Sequence, residues 1–80
     1  MILRRLGTVL HISHRGSIIV RTERVPPMGN KSIVFDKKAQ EIGIIIDVFG
    51  PVRNPYVAIR PNTGFDAKKI IGQVLYMHKK

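Results

Sequence analysis

The chain has 80 residues, no cysteine, and 14 Lys plus Arg against 5 Asp plus Glu, for a net charge of +9. One domain of this size buries only about 60–65% of the surface its unfolded form exposes, which leaves no room for a second domain or a deep substrate cleft. Missing cysteines exclude a disulfide framework and thiolate metal sites, and fit a reducing cytosol; the charge favours polyanionic surroundings, of which nucleic acid is the usual one.

The first strand is predicted over residues 2–13. Leu6, Thr8, Leu10 and Ile12 share one parity and Gly7, Val9 and His11 the other, with Gly7 marking a bulge or bend. The arginines near the N-terminus are not followed by a long apolar stretch and a small-residue cleavage site, so the segment reads as a strand rather than a signal peptide. No apolar run reaches the length of a membrane span, and no membrane association is expected. His14, Arg15 and Gly16 form a turn in which Gly16 takes positive φ. Strand two, residues 17–22, pairs back on strand one, with Ile18 and Val20 opposite in direction to Ile19 and Arg21.

Residues 23–32 carry Pro26-Pro27 and Gly29-Asn30 and read as a loop. Ile33, Val34 and Phe35 make a short third strand, and residues 36–40 a turn with room for one helical turn. The most apolar and most sharply punctuated stretch follows, residues 42–61, a β-hairpin. Ile42, Ile44, Ile46 and Val48 are β-branched and of one parity, which suits a buried pleated face. Gly43, Ile45, Asp47 and Phe49 occupy the other parity. Ile45 and Phe49 therefore need a second cover, either more of this chain or another molecule. The connection is Gly50-Pro51-Val52-Arg53-Asn54-Pro55, stiffened by two prolines that fix φ and donate no hydrogen bond. Tyr56 opens strand five, so that Phe49 and Tyr56 stand at the two feet of the loop. Residues 62–64 break strand five, residues 65–69 form a single helical turn, residues 70–77 are strand six, and His78-Lys79-Lys80 is a basic tail. Several short strands with frequent turn signals and no stretch of helical period imply an all-β domain. A small six-stranded closed barrel, filling residues 1–78 with a basic stub at 79–80, removes exposed strand edges.

Candidate chemistry is sparse. His11, His14 and His78 have no spacing that suggests a metal site. Ser13, Ser17 and Ser32 lie in or beside turns without a glycine-framed elbow, and no phosphate-cradling glycine loop is present. Asp47 stands on an otherwise apolar face, where it either hydrogen-bonds locally or presents a charge to a partner. No catalytic residue, metal, cofactor or small-molecule ligand is expected. Phe49 and Tyr56 are the aromatic pair expected to be clustered and outward. They either cap the end of the barrel or anchor a protein interface, where aromatics dominate binding energy. The basic residues are dispersed along the chain, which favours diffuse attraction to an RNA-rich assembly over a sequence-reading groove.

The segment D-V-F-G-P-V-x-x-P-Y-V at residues 47–57 resembles the signature of the archaeal Gar family, the small β-barrel subunits of box H/ACA ribonucleoproteins, which carry out RNA-guided pseudouridylation. The likeness extends to Arg5-Leu6-Gly7, Val9-Leu10-His11, Ile19-Val20-Arg21-Thr22 and Gly72-Gln73-Val74-Leu75-Tyr76, and so covers nearly the whole chain. It implies a six-stranded barrel of the kind shared by translation factors, reductases and isomerases. It implies docking on the catalytic domain of the pseudouridine synthase subunit, near the mobile loop that handles substrate RNA. Contact with the guide-RNA particle would be indirect or weak, and the setting cytoplasmic. The partner surface is expected at Ile45, Asp47, Val48, Phe49, Gly50, Pro51, Val52, Pro55 and Tyr56. These 80 residues lack the glycine-arginine-rich tails of eukaryotic members, so the behaviour of such tails is not carried over. A different reading from charge alone is a free-standing RNA-binding barrel of the ribosome or translation apparatus.

Overall fold

A computed structural model describes residues 3–22 and 32–78. Six strands run in the order β1 (Leu3–Ile12), β2 (Ile18–Thr22), β3 (Ile33–Phe35), β4 (Glu41–Phe49), β5 (Tyr56–Pro61) and β6 (Val74–His78), with a single 3₁₀ turn (Ala67–Ile70) before β6. They close into an antiparallel barrel in which the strands neighbour one another as β1-β2-β5-β4-β3-β6. The expected all-β class, strand number and closure are those observed. Gly16 takes a φ of 85° in the β1–β2 turn, as expected. The predicted loop at 23–32 lies, but for Ser32, outside the described residues, as do Lys79 and Lys80.

Register explains why this thin core holds. Val9, Val20, Val57 and Val48 are cross-strand partners in turn, through β1, β2, β5 and β4. One step along, Ile12, Ile18, Ile59 and Ile45 form a second such row. Both rows point inward, and Val9, Ile18, Val20, Val57 and Ile59 are essentially inaccessible to solvent. β-Branched side chains have few rotamers to lose and pack well against directly opposite neighbours. Leu6, Val34, Ile42, Leu75 and Met77 complete the interior. Among the described residues, no buried side-chain nitrogen or oxygen lacks a hydrogen-bond partner.

The simple alternation read for β1 and β4 does not survive closure. Register shifts occur in β1 between Arg5 and Gly7 and between Val9 and His11, and in the β4–β5 pairing between Ile45 and Asp47. Another lies between Val34 and Phe35 in the pairing with β4, where Ile42 is the extra residue. Each bulge adds a residue on one strand and resets which parity faces inward. In β1 the inward set is therefore Leu6, Val9 and Ile12, while Leu10 is exposed. In β4, Ile42 and Ile45 are buried and Ile46 is exposed, against the expectation that Ile42, Ile44, Ile46 and Val48 share the core face.

Strand six also starts later than expected. Ala67 and Ile70 sit three residues apart in the 3₁₀ turn and both are buried in the core, as the eclipsed i, i+3 geometry of such a turn permits. Asp66 caps the turn by accepting from the Lys68 amide at 3.1 Å. Gly72 and Gln73 then hydrogen-bond the Val9 backbone in both directions at 2.9 Å, tying the turn onto β1. The adjacent Ile70-Ile71 pair looks like strand sequence, yet one side chain plugs the barrel and the other is exposed.

Two glycines mark where strands approach most closely. A Cβ on Gly7 would lie 2.0 Å from the Arg21 carbonyl oxygen, and one on Gly43 would lie 2.1 Å from that of Arg60. Backbone cannot yield as a flexible side chain would. Gly43→Ala is therefore expected to cost about 3 kcal/mol, lowering the thermal midpoint by about 12–24 °C. Gly64→Ala, where nothing stands within 4 Å, should cost only about 1 kcal/mol, from its positive φ. Equal midpoints for the two variants would contradict the close-approach account.

Candidate functional interface

The β4–β5 connection begins at Gly50, whose φ of 89° is in the left-handed region. A Cβ there would also come within 2.7 Å of the Tyr56 ring, so the ring lies against a surface only glycine offers. Phe49 and Tyr56 are direct cross-strand partners. Their ring centroids are 5.7 Å apart with planes inclined by 31°, a tilted arrangement within the favourable range for aromatic pairs. Asn54, at φ 57°, turns the chain back. Pro55 then locks the return: its carbonyl accepts from the Thr22 amide at 3.0 Å and from the Thr22 hydroxyl at 3.1 Å. The loop is thus held at both ends, by aromatic packing on one side and by two hydrogen bonds to β2 on the other.

What this rigid loop presents is apolar. Val52 is 89% exposed, Ile46 48% and Phe49 43%, and Pro51 is also exposed. Scattered exposed aliphatics are ordinary on a protein surface, but a group gathered on one loop and the strand leading to it makes this face the candidate interaction surface. The outward row Thr8–Arg21–Tyr56–Phe49 places the exposed Arg21 beside the aromatic pair, and Arg53 lies exposed in the loop itself.

Of the nine residues expected to form a partner surface, Asp47, Phe49, Gly50, Pro51 and Val52 are exposed and Tyr56 is half-buried. Three are placed differently. Ile45 is 8% exposed and belongs to the isoleucine row, because the bulge that follows it turns Ile46 outward in its place. It therefore needs no outside cover. Pro55 is buried and serves as the anchor described above. Val48 packs on the core from the valine row. Asp47 makes a local bond, its carboxylate accepting from the Val48 amide at 2.8 Å, and its charge remains exposed. Ile46 and Arg21 were missed. A bulge leaves no period to read, and Arg21 reaches the site only through strand pairing.

No group of three or more His, Cys, Asp or Glu among the described residues could hold a metal ion. No helix among them is long and apolar enough to cross a membrane. The sequence matches the family described as the Gar1/Naf1 RNA binding region over residues 3–80. The chain belongs to this family. An uncharacterized protein of Methanothermobacter thermautotrophicus is 36% identical over 78 residues, which is 94% of this chain and 83% of that relative. The H/ACA ribonucleoprotein complex non-core subunit NAF1 of Mus musculus is 33% identical over 61 residues, or 76% of this chain, but the match takes in only 12% of the mouse protein. An uncharacterized protein of Methanocaldococcus jannaschii is 40% identical over 53 residues, covering 66% of this chain and 62% of the relative. The match with the mouse protein thus takes in about three quarters of this chain and a small part of a much longer relative.

The interface geometry makes a stability prediction. Val52→Asp should leave unfolding free energy within about 0.5 kcal/mol of the parent, because the side chain touches nothing that the fold depends on. Thr22→Val should cost about 1 kcal/mol through the lost hydroxyl bond to Pro55. Urea denaturation compares them; a Val52→Asp loss as large as that of Thr22→Val would mean that the loop packs inward.

Proposed function

We propose that the chain is a protein subunit of an H/ACA ribonucleoprotein and that it docks on the catalytic domain of the pseudouridine synthase subunit. The observation that carries this reading is the exposed set Ile46, Phe49, Pro51 and Val52 on a loop held at both ends and the strand that leads into it. A pre-ordered apolar loop loses little conformational entropy when it binds, so most of its burial energy goes into affinity. Membership of the Gar1/Naf1 family supports the assignment, as does the H/ACA particle named for the mouse relative. The arginines at positions 21 and 53 flank the patch; as rim charges they contribute to encounter rate and orientation more than to affinity.

In this reading the chain performs no bond-making. It binds one arrangement of the synthase loop that handles substrate RNA better than the others, and the population shifts toward that arrangement by the difference in affinity. Loading and release of substrate RNA would respond, while the chemical step would not.

Calorimetry of this chain against a purified archaeal pseudouridine synthase subunit, without RNA, tests the docking. Phe49→Ala should weaken binding by about 30-fold, the effect of removing an interfacial hot spot of about 2 kcal/mol. Val52→Asp should bring binding below detection. Multiple-turnover pseudouridylation should rise when the parent chain is added, with the single-turnover rate unchanged. Absence of any protein–protein binding, alongside tight salt-sensitive binding to bare RNA, would favour the free-standing RNA-binding barrel instead.

A further inference from the structure

A second surface lies on the far side of the barrel from the β2–β5–β4 sheet that carries the docking loop. On β6, Leu75 and Met77 point into the core, so Tyr76 and His78 point out; on β3, Val34 points in and Phe35 out. Tyr76 pairs with Arg5 of β1 on one side and with Phe35 of β3 on the other, and Phe35 pairs with Glu41 of β4. The result is one outward row across four strands, Arg5–Tyr76–Phe35–Glu41. Directly opposite residues have Cβ atoms about 5 Å apart, so Tyr76 and Phe35 are immediate cross-strand neighbours. Both are half-buried, which leaves part of each open to solvent, and Arg5 and Glu41 are exposed.

The chemistry around this row differs from that of the docking loop. Leu10, Ile46, Phe49, Val52 and Ile71 are exposed large hydrophobic residues, and none of them lies on β3 or β6. Beside Phe35, the β3–β4 turn carries the exposed Lys37 and Lys38. The acid in that turn, Asp36, uses one carboxylate oxygen to accept both the Lys38 amide at 2.8 Å and the Gln40 amide at 2.9 Å. These two bonds brace the turn that carries the two exposed lysines. The whole chain carries +9. Two cross-strand aromatics with Arg5 opposite one and a lysine turn following the other, on strands β3 and β6 that carry no exposed large aliphatic side chain among the described residues, suit bases that stack and phosphates that need neutralising.

We propose that the outward row Arg5–Tyr76–Phe35, with Lys37 and Lys38, is a binding site for single-stranded RNA. Two unstacked bases lie on Tyr76 and Phe35, and the backbone passes Arg5 and the lysine turn. A duplex, whose bases are not free to stack on side chains, is excluded from the rings. Glu41, at the end of the row, opposes the backbone and limits affinity. The site is independent of the docking loop: its two aromatics lie on β3 and β6, and the loop joins β4 to β5. One subunit can then hold protein and RNA together.

Fluorescence anisotropy of the full chain with a labelled twelve-residue oligouridine is the test, with each variant first checked by thermal melting. Leucine keeps the apolar packing but removes the ring. Phe35→Leu and Tyr76→Leu should each weaken binding by about 5- to 100-fold. Arg5→Ala should reduce the slope of log affinity against log salt by about 0.7. Glu41→Gln should tighten binding, and Val52→Asp, which removes docking on the synthase subunit, should leave it unchanged. Oligouridine binding that is absent, that is insensitive to Phe35→Leu and Tyr76→Leu, or that is lost in Val52→Asp would overturn the proposal. Because Tyr76→Leu should still bind the synthase subunit normally, failure here and failure of the docking reading are separately visible.

Discussion

The structure rests on one steric fact: four strands meet in register so that a row of valines and a row of isoleucines fill the same cylinder. Val9, Val20, Val57 and Val48 form one layer and Ile12, Ile18, Ile59 and Ile45 the next. A chain of 80 residues has little apolar surface to bury, and it places its stiffest side chains where each touches an equivalent neighbour. Closure follows from the same economy, since a sheet that returns to its first strand leaves no long edge to protect.

Closing so small a barrel has a geometric cost, taken up by bulges and glycines. Strands must coil and cross tightly, and at Gly7 and Gly43 the neighbouring backbone comes where a Cβ would be. The bulges redistribute the apolar residues as they bend the strands. One of them moves Ile45 into the core and turns Ile46 out. The exposure of Ile46 is therefore a by-product of the curvature that makes the barrel possible. The rigidity of the loop has a different source, the Gly50–Tyr56 contact and the Thr22 bonds to Pro55.

The barrel wall offers two chemically distinct faces. Around the β4–β5 loop, aromatic rings sit among exposed aliphatics, which favours burial against another protein. Across β1, β6 and β3, Tyr76 and Phe35 lie near Arg5 and the lysine turn, the surface proposed for single-stranded RNA. Family membership links the chain to the Gar1/Naf1 RNA binding region, and the two proposed ligands, a protein and an RNA, call for these two kinds of surface. Alternation along β3 and β6, undisturbed on those strands, is what keeps Phe35 and Tyr76 outward.

By itself the sequence determined the all-β class, the six strands, the punctuated hairpin and its two aromatic feet. These depend on local signals: β-branched runs, proline and glycine positions, and the absence of a helical period. It also carried the family likeness, in the segment from Asp47 to Val57. Tertiary structure alone decided which residues face where. A bulge shifts parity without altering composition, so alternation alone puts Ile46 on the core face and leaves Ile45 to be covered, and only the pairing of β4 with β5 reverses the two. Pro55 reads as an exposed loop residue until Thr22, thirty-three positions earlier, supplies its two hydrogen bonds. Phe35 and Tyr76 look isolated in the sequence because only the closing of β3 against β6 makes them neighbours. Local chemistry specifies the elements; contact between distant strands specifies the surfaces.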